Sequence, residues 1–494
     1  MMQLPKRLEL KEMIQTSKNE IEVISEVRWK ALAVISIIQF ILLLDATVVN
    51  VALPHIKQDL GFTAASLTWV VNAYLVAAGS LLLLGGRIGD AFGLRRTFQI
   101  GIAVFGVFSL VATLSSNASM LIVGRAGQGV GEALTAATGL AMVSLLFPSG
   151  PERGKAFSIW AALGGFGSIV GVMLSGVLTE YLSWRWVFGI NIPIILILYV
   201  TVVLLVPKLS NQATARLDIG NALVLAFSVS VIVLGIIGSG IEQLLWLRVT
   251  LSLLGMLGII GVLQRCKRSG DGIIPARLMA RSPRIIGYAI VAILAGTSGA
   301  LFYLGVLLLQ DSLGMTPMQA GMAWLPFCLG FFPGLFLFQF IIKRWSSRAA
   351  ALVSLTVSAL GFLLFAVGVT TQSYWVGMMP AMIVTSVGFG CVSPVSQYLA
   401  TFGLSEVDAG AGSGITSTIQ QLFNVGGVTL LAAVAISITD GTGASTIINP
   451  KGFIVSFVLA AVAIICGAVL ILVRGSALAS SPDNQESLTD GRES

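Results

Sequence analysis

Four polar residues stand inside long apolar runs, at spacings that link them. Asp45 interrupts the run from residue 30 to residue 53; Arg125, Gln128 and Glu132 interrupt a second, from 119 to 146. An ionisable side chain in the middle of a bilayer costs about 2.5–3.5 kcal/mol on insertion scales, so each marks function before it marks packing. At about 1.5 Å per residue, Asp45 lies roughly 13 Å from the end of its run near Pro54, and Arg125 about 9 Å from the start of the second run. These depths are similar, which makes an ion pair between the two spans reasonable. A buried arginine needs a carboxylate or several acceptors, and its charge would set the proton affinity of the acid beside it. The chemistry this allows is reversible protonation of a buried carboxylate; the plainer reading is an ion pair needed only for assembly. Glu132 follows Arg125 by seven residues, two turns along the same face, with Gln128 between them. It could carry a proton, bind a cationic substrate or serve as a polar contact.

The elements that position these residues are transmembrane helices. Of the 494 residues, 56% are hydrophobic and 10% charged, with mean hydropathy +0.94. A soluble chain carries about 25% charged residues, so this is a polytopic membrane protein. Fourteen apolar runs approach the roughly 20 residues a spanning helix needs: 30–53, 67–85, 96–115, 119–146, 154–179, 186–206, 217–238, 245–263, 284–309, 319–341, 348–368, 374–399, 409–438 and 452–473. When loops are assigned alternately to the two sides, only Lys57, Arg185, Arg248 and Lys451 of the 29 lysines and arginines fall on one side, and Arg125 lies inside. Positive charge is retained in the cytoplasm, so both termini are expected there. The net charge of +7 is thus a topology signal, and no nucleic-acid partner is expected.

Residues 1–29 read as a polar cytoplasmic tail without the apolar core of a signal peptide. The simplest partition is a six-helix bundle over 30–206, two extra helices over 207–264, a basic cytoplasmic loop over 265–283, a second six-helix bundle over 284–474, and a polar disordered tail over 475–494. Between the second and third spans, residues 86–96 read as a short charged turn with Gly86, Asp90, Gly93, Arg95 and Arg96. In the fifth span, Gly167, Gly171 and Ser175 recur every four residues, with Gly176 beside them, giving a smooth face for close helix approach.

The four cysteines show no metal or redox spacing, and His55, the only histidine, falls at an outer interface. Gly150–Ala156 is one residue short of a phosphate loop and lacks its Ser/Thr. No metal, cofactor or nucleotide site is expected, so energy must come from a gradient.

Several stretches resemble the major facilitator superfamily, and in particular its fourteen-helix drug:proton antiporter branch. Gly86, Asp90, Gly93 and Arg95 match the family's gate loop, while Ala91 and Leu94 depart from it. Asp45 through Pro54 is similar to the first-helix motif in which the acid is tied to proton coupling. Leu121, Arg125, Gln128 and Gly129 match the fourth-helix motif, where Glu132 replaces a usual small residue. Gly167–Gly176 resembles the antiporter motif of the fifth helix, with Val172 and Ser175 off pattern, and Trp184–Phe188 with Asn191–Pro193 continues it. Gln310–Gly314, Trp324–Pro326 and Gly410–Gly414 with Gln420 and Gln421 resemble later spans of the same branch.

The resemblance implies an all-α membrane protein of 6 + 2 + 6 helices in a bacterial cell membrane. It would be no enzyme, but a monomeric exporter of drugs, antibiotics or dyes in exchange for protons by alternating access. Asp45, Arg125 and Glu132 would couple the protons. Gln128, Tyr303, Trp324 and Phe327 are candidates for an apolar substrate cavity, although packing explains the aromatic residues equally well. Two other readings stay open. One is a dedicated exporter of a single metabolite, lipid or biosynthetic product; the other is a non-transporting membrane receptor on the same scaffold.

Overall fold

The computed structural model describes residues 7–147, 151–207, 219–237, 244–269, 282–344, 347–400, 406–438 and 448–474. All regular structure among them is helical. In chain order the helices are α1 (Arg7–Leu60), α2 (Ala64–Phe92), α3 (Leu94–Thr113), α4 (Ala118–Leu146), α5 (Pro151–Tyr181), α6 (Trp186–Gly189), α7 (Asn191–Leu205), α8 (Ile219–Ile237), α9 (Leu245–Ser269), α10 (Ser282–Leu307), α11 (Pro317–Ala323), α12 (Leu325–Arg344), α13 (Ser347–Thr371), α14 (Met379–Ala400), α15 (Glu406–Ser437) and α16 (Pro450–Arg474). Among the described residues, twelve segments are long and apolar enough to cross a membrane, and two shorter apolar ones lie within α5 and α8. Together they match the fourteen runs in the sequence. The short α6 and α7 form one span, and α11 with α12 another.

Local chemistry sets several boundaries. Thr63 and Ser66 form a reciprocal capping box at the start of α2, as Thr316 and Gln319 do at α11. Asn117 caps α4 by accepting from the Met120 N–H at 2.9 Å. Helix runs unbroken from Arg7 through the stretch read as a tail and into the first span. Most of the loop expected over 265–283 and all of the tail over 475–494 lie outside the described residues.

α1 through α7 pack chiefly among themselves, with α1 on α5 and α4 between α2 and α3. α10 through α16 form a second set, built on α12 and α13 against α14, α10 against α15 and α13 against α16. The two sets meet where α2 lies along α15, α5 touches α11, and α1 approaches α10. α8 and α9 pair with each other, and α8 leans on both α2 and α15, flanking that seam. Leu245, Trp246, Leu253 and Leu257 of α9 are more than half exposed, as on a helix that faces lipid.

Candidate functional site

α4 carries the centre of the site, and its glycines explain how that centre is reached. A Cβ at Gly124, Gly127 or Gly131 would run into Ala112, Phe108 or Phe105 of α3, and one at Gly129 would run into the Tyr74 carbonyl oxygen of α2. These four positions bring α4 close to both neighbours. The polar side chains between them are therefore held within a few ångströms of α1, α2 and α3.

Arg125 and Asp45 meet, as their matched depths suggested. The guanidinium donates from one terminal nitrogen to Asp45 Oδ2 at 2.7 Å, and both side chains are essentially without solvent exposure. The same nitrogen donates to Gln128 Oε1 at 2.7 Å, and Arg125 Nε donates to the Val70 carbonyl at 3.0 Å. The second carboxylate oxygen of Asp45 accepts from Asn191 at 2.6 Å and from Gln128 Nε2 at 3.1 Å. Gln128 also donates to Ser109 at 2.8 Å. The guanidinium carbon lies 4.2 Å from the centroid of the Tyr74 ring and 5.6 Å from that of Phe188, so aromatic faces cover the cation as well. Five elements, α1, α2, α3, α4 and the α6–α7 span, thus close on one ion pair. Gln128, expected as a substrate contact, has both ends of its amide committed within this cluster.

Glu132 lies elsewhere. Two turns further along α4 it points to the seam, where Gln421 of α15 donates to its Oε1 at 3.2 Å. Its other oxygen is buried without a hydrogen bond. Seven residues of the second set pack rings together: Phe302, Trp324, Phe327, Phe389, Phe362, Phe365 and Phe457, with neighbouring centroids 4.7–6.4 Å apart. Two of the expected cavity residues, Trp324 and Phe327, belong to this group. Tyr303 is equally buried, and its hydroxyl and the Trp324 indole N–H lack partners.

A family model described as the Major Facilitator Superfamily matches residues 35–428. The chain belongs to the Major Facilitator Superfamily. The puromycin resistance protein of Streptomyces alboniger is 32% identical over 478 residues, 94% of this chain and 95% of that one. The lincomycin resistance protein of Streptomyces lincolnensis is 30% identical over 93% of each chain. The cephamycin export protein of Amycolatopsis lactamdurans is 33% identical over 82% of this chain and 84% of its own. Among solved structures, the nucleoside transporter NupG superposes with TM-score 0.65 over 91% of this chain and 99% of that chain, at 13% identity, a likeness of fold. The protein is therefore a multi-pass transporter rather than an enzyme, and its relatives over most of its length are antibiotic resistance and export proteins.

The superfamily stretches then fall into place. The expected turn over 86–96 is much shorter than it reads: α2 continues through Gly86 and Asp90 to Phe92, and only Gly93, with φ +96°, separates it from α3. That φ lies where a side chain is strained, so glycine is needed there. Gly85 and Gly89 instead serve close packing, against Ala133 and Thr138 of α4. Arg95, in the first turn of α3, donates to the Val203 carbonyl near the end of α7; Arg96 is exposed. In α5 the small residues serve two neighbours. Gly167 and Gly171 face the Phe40 and Leu44 carbonyls of α1, whereas Gly176 faces Pro317 of α11 in the other set. Ser175 is buried between these contacts.

Sequence reasoning did not assign roles to Asn191, Tyr74, Ser109 or Gln421. Asn191 stood in a stretch singled out by resemblance, and Gln421 likewise. Their partners are 146 and 289 residues away, and no local spacing announces them.

Proposed function

We propose that this chain exports small, largely apolar or cationic antibiotic-like molecules in exchange for protons, by alternating access between the two sets of six helices. Both termini and the Gly93 turn lie on the cytoplasmic side in this reading, as the distribution of basic residues requires. The arrangement is a 6 + 2 + 6 monomer, with six-helix bundles over 30–206 and 284–474. Residues 1–29 extend the first helix into the cytoplasm.

The observation that carries the reading is the buried Asp45–Arg125 pair. Arg125 bonded to Asp45 holds a positive charge against the carboxylate, and a proton delivered there would take over the role of that charge. Protonation of Asp45 would therefore be linked to a rearrangement of α1, α4 and the α6–α7 span. Arg125 positions the acid and neutralises it between protonation events. The seam is closed by contacts near one end: Gln310 donates to the Val51 carbonyl at 2.7 Å, and the Met318 N–H donates to Glu180 at 2.9 Å. These residues lie at the helix ends away from the Gly93 turn, the outer ends in this reading, and their contacts would hold the outer side closed.

A narrower reading has its own support. The puromycin, lincomycin and cephamycin proteins are each named for one antibiotic, and a dedicated exporter of one product would share this fold and this ion pair.

The test is ethidium efflux from inverted vesicles or cells under an imposed pH gradient, for the unmodified chain and Asp45→Asn. Gradient-driven efflux should fall at least tenfold in the variant, with expression unchanged. Efflux that survives in Asp45→Asn removes this acid from the coupling scheme. A gradient-driven efflux seen only with one natural antibiotic, and not with ethidium, decides for the dedicated exporter.

A further inference from the structure

The start of α10 carries a buried cation that no described acid neutralises. Arg284, in the first turn of the helix, is 5% exposed, and its Nε is buried without a hydrogen bond. Tyr288 follows four residues later, on the same face. It is equally buried, and its hydroxyl also lacks a partner. The two groups are near enough for the Arg284 charge to bear on that hydroxyl. Between them, Gly287 brings α10 against the end of α14, because a Cβ there would run into the backbone of Leu399 and Ala400. Tyr288 packs with Ala400 and Ile415 in a small apolar cluster set apart from the main core, with Ile419 beside it. The place is thus walled by α10, α14 and α15.

Arginines elsewhere in the protein are treated differently. Where α1 enters the first set, Arg28 holds Glu152 of α5 at 3.3 Å and covers the Phe147 ring. Arg125, the other deeply buried arginine, has Asp45. Among the described residues Arg284 has no such anion, and a buried guanidinium without one is costly. The helix itself adds to the demand, since α10 opens at Ser282 and the free N–H groups of a first turn favour negative charge. Depth points to the source of that charge. Arg284 is the second residue of the apolar span Pro283–Ser312, at the level of lipid headgroups, and its neighbour Ile285 is 47% exposed, as on a surface that faces lipid.

From these observations we infer that Arg284, Tyr288 and the first turn of α10 form a binding site for the phosphate of an anionic phospholipid in the cytoplasmic leaflet. The guanidinium would donate from Nε and a terminal nitrogen to two phosphate oxygens, the paired geometry that arginine offers and lysine does not. The Tyr288 hydroxyl would donate to the same group. A zwitterionic lipid carries this phosphate with an ammonium group attached to it, so a lipid of net negative charge is preferred. Such a lipid would tie together the inner ends of α10, α14 and α15. The inference takes from the reading above only that this end of α10 is cytoplasmic; it does not depend on export or on proton exchange.

The test uses the purified full-length protein in detergent, titrated with phosphatidylglycerol, with phosphatidylcholine of the same acyl chains, and with inorganic phosphate. Bound lipid is counted by native mass spectrometry, and stability is read as melting temperature. The first phosphatidylglycerol should bind about fivefold more tightly than the first phosphatidylcholine. Arg284→Gln should remove that preference, yet melt no lower than the unmodified protein when lipid is absent, because it takes away an unpaired buried charge. Tyr288→Phe keeps the ring and should weaken phosphatidylglycerol binding severalfold; it decides the matter should Arg284→Gln fail to fold. An unmodified protein that binds both lipids alike, or a preference untouched by both substitutions in folded protein, overturns the site. Inorganic phosphate that displaces phosphatidylglycerol at equal concentration overturns the lipid as its occupant. Equal losses of melting temperature in Arg284→Gln and in Glu406→Gln, at the start of α15, with lipid binding unchanged, would put an internal ion pair in the lipid's place and sink the inference. A lipid preference that depends on Arg284 in a protein that moves no drug leaves the site standing and defeats the export reading instead.

Discussion

The two buried carboxylates, on α1 and α4 of the same helix set, stand in opposite situations. Asp45 accepts from Arg125, Gln128 and Asn191, all within the first set of helices, and neither of its oxygens is left over. Glu132 is two turns from Arg125, reaches across to the second set through one amide, and keeps one oxygen unpaired. A saturated ion pair inside one set is part of how that set folds, and changing it has consequences for stability and for the proton. An undersaturated acid between two sets costs the fold little to lose. Its free valence can respond to a ligand or to the motion of one set past the other.

The sharpest way to break this comparison is to remove one partner from each place. Arg125→Ala would leave the Asp45 carboxylate buried without a cation, and such losses cost about 3–5 kcal/mol. The expected outcome is a protein that fails to accumulate, or that melts well below the unmodified one in detergent. Glu132→Gln should shift the melting temperature by a few degrees at most, since it replaces a half-satisfied charge by a neutral amide of the same shape. Equal losses from both substitutions would mean that Glu132 is as deeply built into the fold as Asp45.

The same contrast runs through α5, where effects of intermediate size are expected. A side chain at Gly171 would meet the Leu44 carbonyl at 2.6 Å within the first set, and one at Gly176 would meet the Pro317 carbonyl at 2.7 Å across the seam. Overpacking of this kind costs about 1–3 kcal/mol. Gly171→Val should therefore lower thermal stability. Gly176→Val should leave it near normal and instead force the outer contact open. Maleimide labelling of a cysteine placed at Met318, with the native cysteines replaced, reports the opening. Its rate should rise severalfold in Gly176→Val and stay unchanged in Gly171→Val.

How much of this was legible in the chain depends on the range of the physics involved. The Asp45–Arg125 pair was open to sequence reasoning because a buried charge demands its opposite, and helix rise alone places both at one depth. The apolar runs were legible for the same kind of reason, since bilayer thickness fixes the length of a spanning helix, and twelve of them are helices long enough to cross among the described residues. Gln421 as the partner of Glu132 was not, because an amide has no charge to balance and may bond to any polar group. The Gly86–Arg96 stretch was misread in extent. Its glycines suggest a loop, yet Gly86 and Gly89 are helical and Gly89 serves the approach of α4, so that a single residue, Gly93, makes the turn. Gln128 was read as part of a stripe running to Glu132, but its direction, inward to Asp45 and Ser109, depends on how α4 is rotated against α1 and α3.

The smallest expected effect concerns a neutral bond at the same seam. Asn72 of α2 donates to Thr429 of α15 at 2.9 Å, and its own oxygen is buried without a partner. Thr429→Val alone removes the acceptor and strands the whole amide, a cost of about 1 kcal/mol in the closed state. Asn72→Leu with Thr429→Val replaces both members by apolar groups of similar shape and should restore most of that loss. The bond joins the two sets and not the interior of either. The penalty should therefore appear as a labelling rate at Met318→Cys raised about fivefold in Thr429→Val and returned toward normal in the double variant, with melting temperatures nearly constant throughout. Additive effects in this cycle would show that the two side chains do not act as a pair. A fall in melting temperature as large as that of Gly171→Val would place this contact with the folding interior of the protein, on the side of Asp45 and not of Glu132.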